Sequence, residues 1–112
     1  MTDRNECIVT GTIVNAPRFG KTKSNGSMAR FTVATAHPQP SKGRDYLLVS
    51  AWGDVADTLQ GEFHENDRIT VYGSVRTSNY EDQDGKRRWI TRINADSVEH
   101  PVEEAIEGES AV

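Results

Sequence analysis

Tyr46 and Trp52 stand six residues apart in Asp45 to Trp52, a run of alternating apolar residues, so both rings leave the same side of an extended chain. Arg76 and Tyr80 keep even spacing in a second run that begins at Arg68, provided it stays extended to Tyr80; Tyr72 shares their parity and could equally sit at a subunit contact. Arg30 and Thr32 add polar groups from a third run, Met28 to Ala36. Lys21, Lys23, Lys42 and Arg44 fall in polar loops, and Lys86, Arg87 and Arg88 follow a turn. An aromatic ring presents a π face on which a nucleobase of any identity stacks, at about 1–3 kcal/mol per base. Lys and Arg neutralise phosphates and release counterions, so such binding weakens with salt. Rings and cations on one face therefore suit a single strand of nucleic acid, whose base faces are free. A purely architectural reading stands beside it, in which Tyr46, Trp52 and Tyr80 fill a core or cover a hydrophobic edge.

Other chemistries find less support. His37, His64 and His100 lie in separate loops or ends, with no metal-ligand spacing among them. Cys7 falls in a strand-like run, where a small buried hydrophobe is the expected role. Asp82 and Asp84 have the spacing of paired carboxylates but sit in a turn, as solvated turn residues do. There is no glycine-rich phosphate cradle followed by lysine. Neither an enzyme nor a cofactor or metal site is expected.

The chain has 112 residues, enough for one domain, and its single cysteine excludes an internal disulfide framework. No apolar run approaches the roughly 20 residues that span a bilayer, and the first residues lack the apolar core of a secretory signal. A soluble cytoplasmic protein with no membrane partner is expected. The net charge of −4 is unevenly spread. Residues 1–95 carry all 13 Lys and Arg against 11 acids, whereas residues 96–112 carry six acids and no base. Such asymmetry marks an interaction tail or a solubilising end.

The elements that must position the candidates read as strands between glycine-containing loops. Cys7 to Val14 is rich in β-branched residues and ends before Pro17; Arg18 to Ser27 reads as a loop or loose hairpin. Met28 to Ala36 and Asp45 to Trp52 form the second and third strands, separated by His37 to Gly43. Within Gly53 to Phe63, Val55, Ala56 and Leu59 recur at helical spacing, with Asp54 as the N-cap and Gly61 as the stop. Arg68 to Ser78 and Lys86 to Ala95 are the fourth and fifth strands, joined through Asp84-Gly85, which favours a tight hairpin. Three strands, a short helix and a two-stranded hairpin make the element order of the OB-fold, an all-β five-stranded barrel with a helix between strands 3 and 4. Gly11 and Gly73 fall mid-strand, where a barrel must bend. Residues 1–98 form the expected domain and 99–112 a short acidic disordered tail.

Four segments, in order, resemble the bacterial-type single-stranded DNA-binding proteins over roughly residues 5–98. Asn5 to Ile13 with Pro17 is similar to that family's first strand, where an asparagine precedes the strand and a glycine interrupts it. Asn25-Gly26 followed by Met28 to Ala34 is similar to its second strand. Val49-Ser50-Ala51-Trp52-Gly53-Asp54-Val55-Ala56 resembles the passage into the helix, and Val71 to Tyr80 with Asp84-Gly85 resembles the segment "V-x-G-x-L-R-T-x-x-W/Y…G". The resemblance implies an OB-fold that binds single-stranded DNA independently of sequence during replication, repair or recombination. It implies base stacking at Tyr46, Trp52 and Tyr80, and a homo-oligomer built through the first strands and sheet edges, a tetramer before a dimer. A further stacking aromatic of the family would fall near Gln39, and Trp89 matches an aromatic position of the last strand that reads here as packing, ahead of partial contact with the nucleic acid.

The tail departs from the family. There, a long linker ends in an acidic tip closing on Pro-Phe that recruits replication and repair enzymes; here the chain ends in Glu107-Gly108-Glu109-Ser110-Ala111-Val112. The acids are present and the aromatic anchor is not, so recruitment by that route is not expected. Two further readings stay open: an OB-fold module that chiefly contacts proteins, as primosome-type accessory proteins do, and a binder of single-stranded RNA.

Overall fold

Every-second-residue burial sets the strands, and the side chains so buried close them into one sheet. In the computed structural model, which describes residues 2–101, the elements are β1 (Cys7–Ile13), β2 (Arg18–Lys21), β3 (Ser27–Ala36), β4 (Arg44–Trp52), α1 (Asp54–Glu62), β5 (Arg68–Glu81) and β6 (Arg87–Glu99). The strands lie in the order β1-β5-β6-β4-β3-β2, and β1 also pairs with β3, so the sheet closes on itself in a ring. Inside the ring Ile13, Phe31, Val33, Val49, Ile69, Val71 and Ile93 pack together. Helix α1 covers one opening with Ala56 and Leu59, and Phe63 follows them into the core. Each of the larger side chains, Val, Ile, Leu or Phe, contributes about 1.5–3 kcal/mol relative to exposure.

Closure brings backbones too near for side chains at two places. A Cβ on Gly11 would meet the Ala34 carbonyl and the Val33 Cγ1, and one on Gly73 would run into the Asn94 carbonyl. These are the two glycines expected at bends. Beside Gly73 the β5–β6 ladder shifts register, pairing Tyr72 with Ser97 and Gly73 with Ala95, so Asp96 is the extra residue of a bulge. Asn5 adds a rung to the sheet before β1 begins: its Nδ2 donates to the Val75 carbonyl at 2.7 Å and its Oδ1 accepts the Val75 N–H at 2.9 Å.

Four local expectations need correction. Of the two readings of Arg18 to Ser27 the hairpin is the one found, and it adds a sixth strand to the expected five: Asn25 takes φ 69° and folds a tight turn that pairs β2 with β3 from Arg18↔Arg30 to Lys21↔Ser27. The helix is capped by Gly53, at φ 62°, while Asp54 opens its first turn. It passes through Gly61 to Glu62, where burial of Phe63 draws the chain out into an extended conformation. The last strand runs on beyond Ala95 to Glu99, since the bulge at Asp96 resets its alternation and lets pairing with β5 resume. Glu99, expected in the tail, accepts a 2.7 Å hydrogen bond from the Tyr72 hydroxyl, and the His100 ring stacks on Phe63 with centroids 4.1 Å apart. The remainder of the expected tail, residues 102–112, lies outside the described residues.

Replacing Gly73 with Ala forces β5 and β6 apart at the bulge, and strain of this kind costs about 1–3 kcal/mol. Urea unfolding of Gly73→Ala should show a lower midpoint at unchanged slope. An unchanged midpoint would show that the ring tolerates a side chain there.

Candidate functional site

Strand β4 lies inside the sheet, antiparallel to β3 on one side and parallel to β6 on the other. Its Val49 and Ala51 enter the core, so Tyr46, Leu48, Ser50 and Trp52 belong to the opposite, outer face. Register then decides which residues of the neighbouring strands share that face. Arg30 lies opposite Ser50, and Arg18 opposite Arg30. On the other side Ser50 is level with Asn94, Asn94 is opposite Ser74, and two residues along Arg92 is opposite Arg76. Arg30, Ser50, Trp52, Arg76, Arg92 and Asn94, with adjacent backbone, line a basin of about 380 Å³. Along β5 the same parity carries Ser78 and Tyr80, the latter opposite Arg88.

Three of the aromatic candidates are therefore on one face, and they are exposed: Tyr46 at 62%, Trp52 at 44% and Tyr80 at 52%. That removes the architectural reading in which they fill the core. Arg30 and Arg76 stand between them, as alternation along the strands predicts. Arg44, the first residue of β4, shares the parity of Tyr46. Lys23 lies in the β2–β3 turn, Lys42 in the β3–β4 loop and Lys86 in the β5–β6 turn, all exposed. Two candidates are not brought to the face. Lys21 alternates to the other side of β2, where it lines a hollow with Phe19 and the Gln60 of α1. Arg87 lies opposite Glu81 on the far side of the β5–β6 ribbon and donates from Nη1 to Asn79 Oδ1 at 2.9 Å. Arg88 is on the near side but engaged, its Nε 2.8 Å from Asp82 Oδ2.

Arg18 and Arg92 join the face without having been singled out in the sequence. Arg92 was legible in principle, at even spacing from Arg88 in the last strand, whereas Arg18 is placed only by the register of β2 on β3, in a segment that reads as loop or loose hairpin. Trp89 corrects an expectation: it packs on no core, being 67% exposed and opposite Asn79, on the ribbon face away from Tyr80. Gln39 is exposed in the β3–β4 loop, where the Ser41 N–H bonds the Pro38 carbonyl and the Gln39–Pro40 peptide is cis. Cys7 is half-buried, and desolvation, then the nearby Asp96 charge, pushes its thiol above its ordinary value, which suits packing and not nucleophilic attack. Among the described residues no three His, Cys, Asp or Glu side chains cluster as metal ligands would. No helix among them is long and apolar enough to cross a membrane.

Comparison with known proteins agrees with this geometry. Residues 4–101 match the single-strand binding protein family. The chain is 27% identical over 99 residues to the single-stranded DNA-binding protein of Oceanobacillus iheyensis, a match covering 85% of this chain and 62% of that one. It is 29% identical to the protein of the same name from Bacillus cereus, over 85% and 58%. With the single-stranded DNA-binding protein 2 of Streptococcus agalactiae the identity is 33%, over 85% and 75%. The chain spans about three-fifths of the length of most of these relatives.

The ribbon tip that carries Tyr80 is organised by one carboxylate. Asp82 Oδ1 accepts the backbone N–H groups of Asp84 at 3.0 Å and Lys86 at 2.9 Å, while Oδ2 holds Arg88. Gly85, at φ 80°, completes the turn. The Arg88 hydrogen bond, then the two backbone donors, hold the Asp82 carboxyl below its ordinary value of 3.8. A depressed folded-state value means that this stabilisation is complete above the ordinary value and is lost as pH falls through the depressed one. Amide exchange at Lys86 should accelerate once pH drops below about 4, after correction for intrinsic rates, and Asp82→Asn should weaken the turn at neutral pH and remove that acid dependence. Protection that ignores both would remove Asp82 as the organiser.

Proposed function

The chain belongs to the single-strand binding protein family, and on that premise we propose that it binds single-stranded DNA irrespective of sequence, protecting exposed strands during replication, repair or recombination. One observation carries the reading: Tyr46, Trp52 and Tyr80 are exposed on a single sheet face with the guanidinium groups of Arg30 and Arg76 among them. Bases stack on the rings, and the intervening cations follow the phosphates, with Arg44, Lys23, Lys42 and Lys86 around the margin. The relatives' name, single-stranded DNA-binding protein, points the same way. Binding of this kind makes and breaks no covalent bond, so the reading assigns no reaction.

Changing Trp52 or Tyr80 to Ala should weaken binding to oligo-dT by about 1–3 kcal/mol each while leaving the unfolding midpoint near that of the parent. Anisotropy titrations with labelled oligo-dT, an equal-length duplex and an RNA oligomer at two salt concentrations test this. The expected order is oligo-dT above duplex, with affinity falling as salt rises. Equal binding of RNA would broaden the substrate to single strands of either kind. Normal binding by both variants would turn the face over to a protein partner.

The proposal extends to assembly and place. From Cys7 to Gly11, β1 pairs only with β5 among the described residues, and Ile8 on that strand is 70% exposed, opposite Tyr72. An open strand edge beside exposed apolar surface favours pairing with a second copy. The reading is a cytoplasmic homo-oligomer, a tetramer before a dimer, whose OB-fold domain takes in Glu99 and His100 and whose acidic tail is the sequence beyond them. Sedimentation should show more than one copy per particle, and Ile8→Glu should shift the population towards smaller species. A monomer at micromolar concentration in the parent would contradict the assembly.

A further inference from the structure

The outer face holds two like-charged pairs set directly across from each other, Arg18 opposite Arg30 and Arg76 opposite Arg92. Opposed like charges on neighbouring strands destabilise a sheet unless an anion joins them. None of the four lies within ion-pair distance of a carboxylate among the described residues, and no acidic residue lines either hollow they border. The one side-chain hydrogen bond they make among the described residues is weak, from Arg76 Nε to the Ser74 hydroxyl at 3.4 Å. An independent observation marks the same spot. Ser50, between Arg30 and Asn94 in the cross-strand row and itself a lining residue of the basin, is 1% exposed, and its hydroxyl has no hydrogen-bond partner. A buried hydroxyl without a partner costs stability that alanine, of nearly the same size, would not.

We propose that the basin bounded by Arg30, Arg76 and Arg92, with Ser50 at its floor, is a discrete phosphate subsite. It seats one phosphate group of a nucleic-acid strand beside the base stacked on Trp52. Guanidinium groups present paired N–H donors that match phosphate oxygens, and their approach from three strands fits a tetrahedral anion better than a flat carboxylate. The Ser50 hydroxyl, which has no partner of its own, donates the remaining hydrogen bond. Arg18 adds charge from β2 without lining the basin. The group is either an internal phosphodiester or a terminal phosphomonoester. Both rest on the single-strand reading for their source, whereas the affinity of the basin for phosphate does not.

Labelled oligo-dT with a 5′-hydroxyl or a 5′-phosphate, titrated across a salt series against the parent, Arg92→Gln, Ser50→Ala and Arg4→Gln, tests the subsite. Arg92→Gln should lower affinity about tenfold at low salt and reduce the salt slope by about one, whereas Arg4→Gln at the chain start should not. Ser50→Ala should bind several-fold more weakly with the parent's salt slope, yet unfold at an equal or higher urea concentration, a combination that a structural role for the hydroxyl would not give. Parent preference for the 5′-phosphate, abolished in Arg92→Gln, assigns a terminal group; equal affinity with the Arg92 effect retained on both assigns an internal one. Parent-like binding by Arg92→Gln and Ser50→Ala overturns the subsite and leaves the single-strand reading standing. If the parent binds no oligonucleotide, NMR titration with inorganic pyrophosphate decides: shifts at Ser50 and the Arg92 side chain, lost in Arg92→Gln, uphold the subsite against the single-strand reading, and their absence removes both.

Discussion

The two-residue period of β4 is the constraint on which the rest of the molecule depends. Val49 and Ala51 must point into the ring for the core to fill, which leaves Ser50 and Trp52 no direction but outward. Because β4 is bonded to β3 and β6 at once, its register fixes where Arg30, Asn94 and Arg92 stand relative to those two side chains. A slip of one residue would bury Trp52 and expose Val49 together. Core and binding face are therefore two readings of one alternation, and neither can be altered in register without the other.

Charge is arranged by the same economy of position. The overall −4 suggests a protein that would repel nucleic acid, yet several acids of the body are occupied locally. Asp82 ties the ribbon turn, Asp67 accepts the His64 backbone N–H, and Asp54 and Asp57 occupy the first turn of α1, where the helix dipole favours them. None of these lines the basin, so the arginines of the outer face act on an approaching ligand without an internal counterion. Spatial segregation, not the sum, determines what the surface attracts.

Most of this is legible in the chain. Alternation alone gives Tyr46, Trp52, Arg30, Arg76 and Tyr80 a common side, and the glycines at 11 and 73 announce the bends. What is hidden has identifiable causes. A bulge is invisible to a period-two pattern, so the run of β6 from Asp96 to Glu99 and its pairing with Tyr72 escape it. The short arm β2 owes its strand character to its partner β3 and not to its own residues, which conceals Arg18. Gly61 reads as a stop, but the demand for Phe63 in the core carries the helix past it. Lys21 and Arg87 are cations in plausible places whose alternation, knowable only once pairing is fixed, turns them from the face.

The clamp between Asn5 and Val75 joins residues 70 apart in sequence, and β1 from Cys7 to Thr12 depends on similarly distant pairing with β5. Contacts of such separation form late, because the intervening chain must surrender its freedom before they reward it. The hairpins β3–β4 and β5–β6 can form from neighbouring segments, but the ring cannot shut until the first strand finds the fifth. During synthesis the first strand thus emerges long before its partner exists. For that interval it waits as an unpaired, β-branched segment, and the order of manufacture is the reverse of the order of closure.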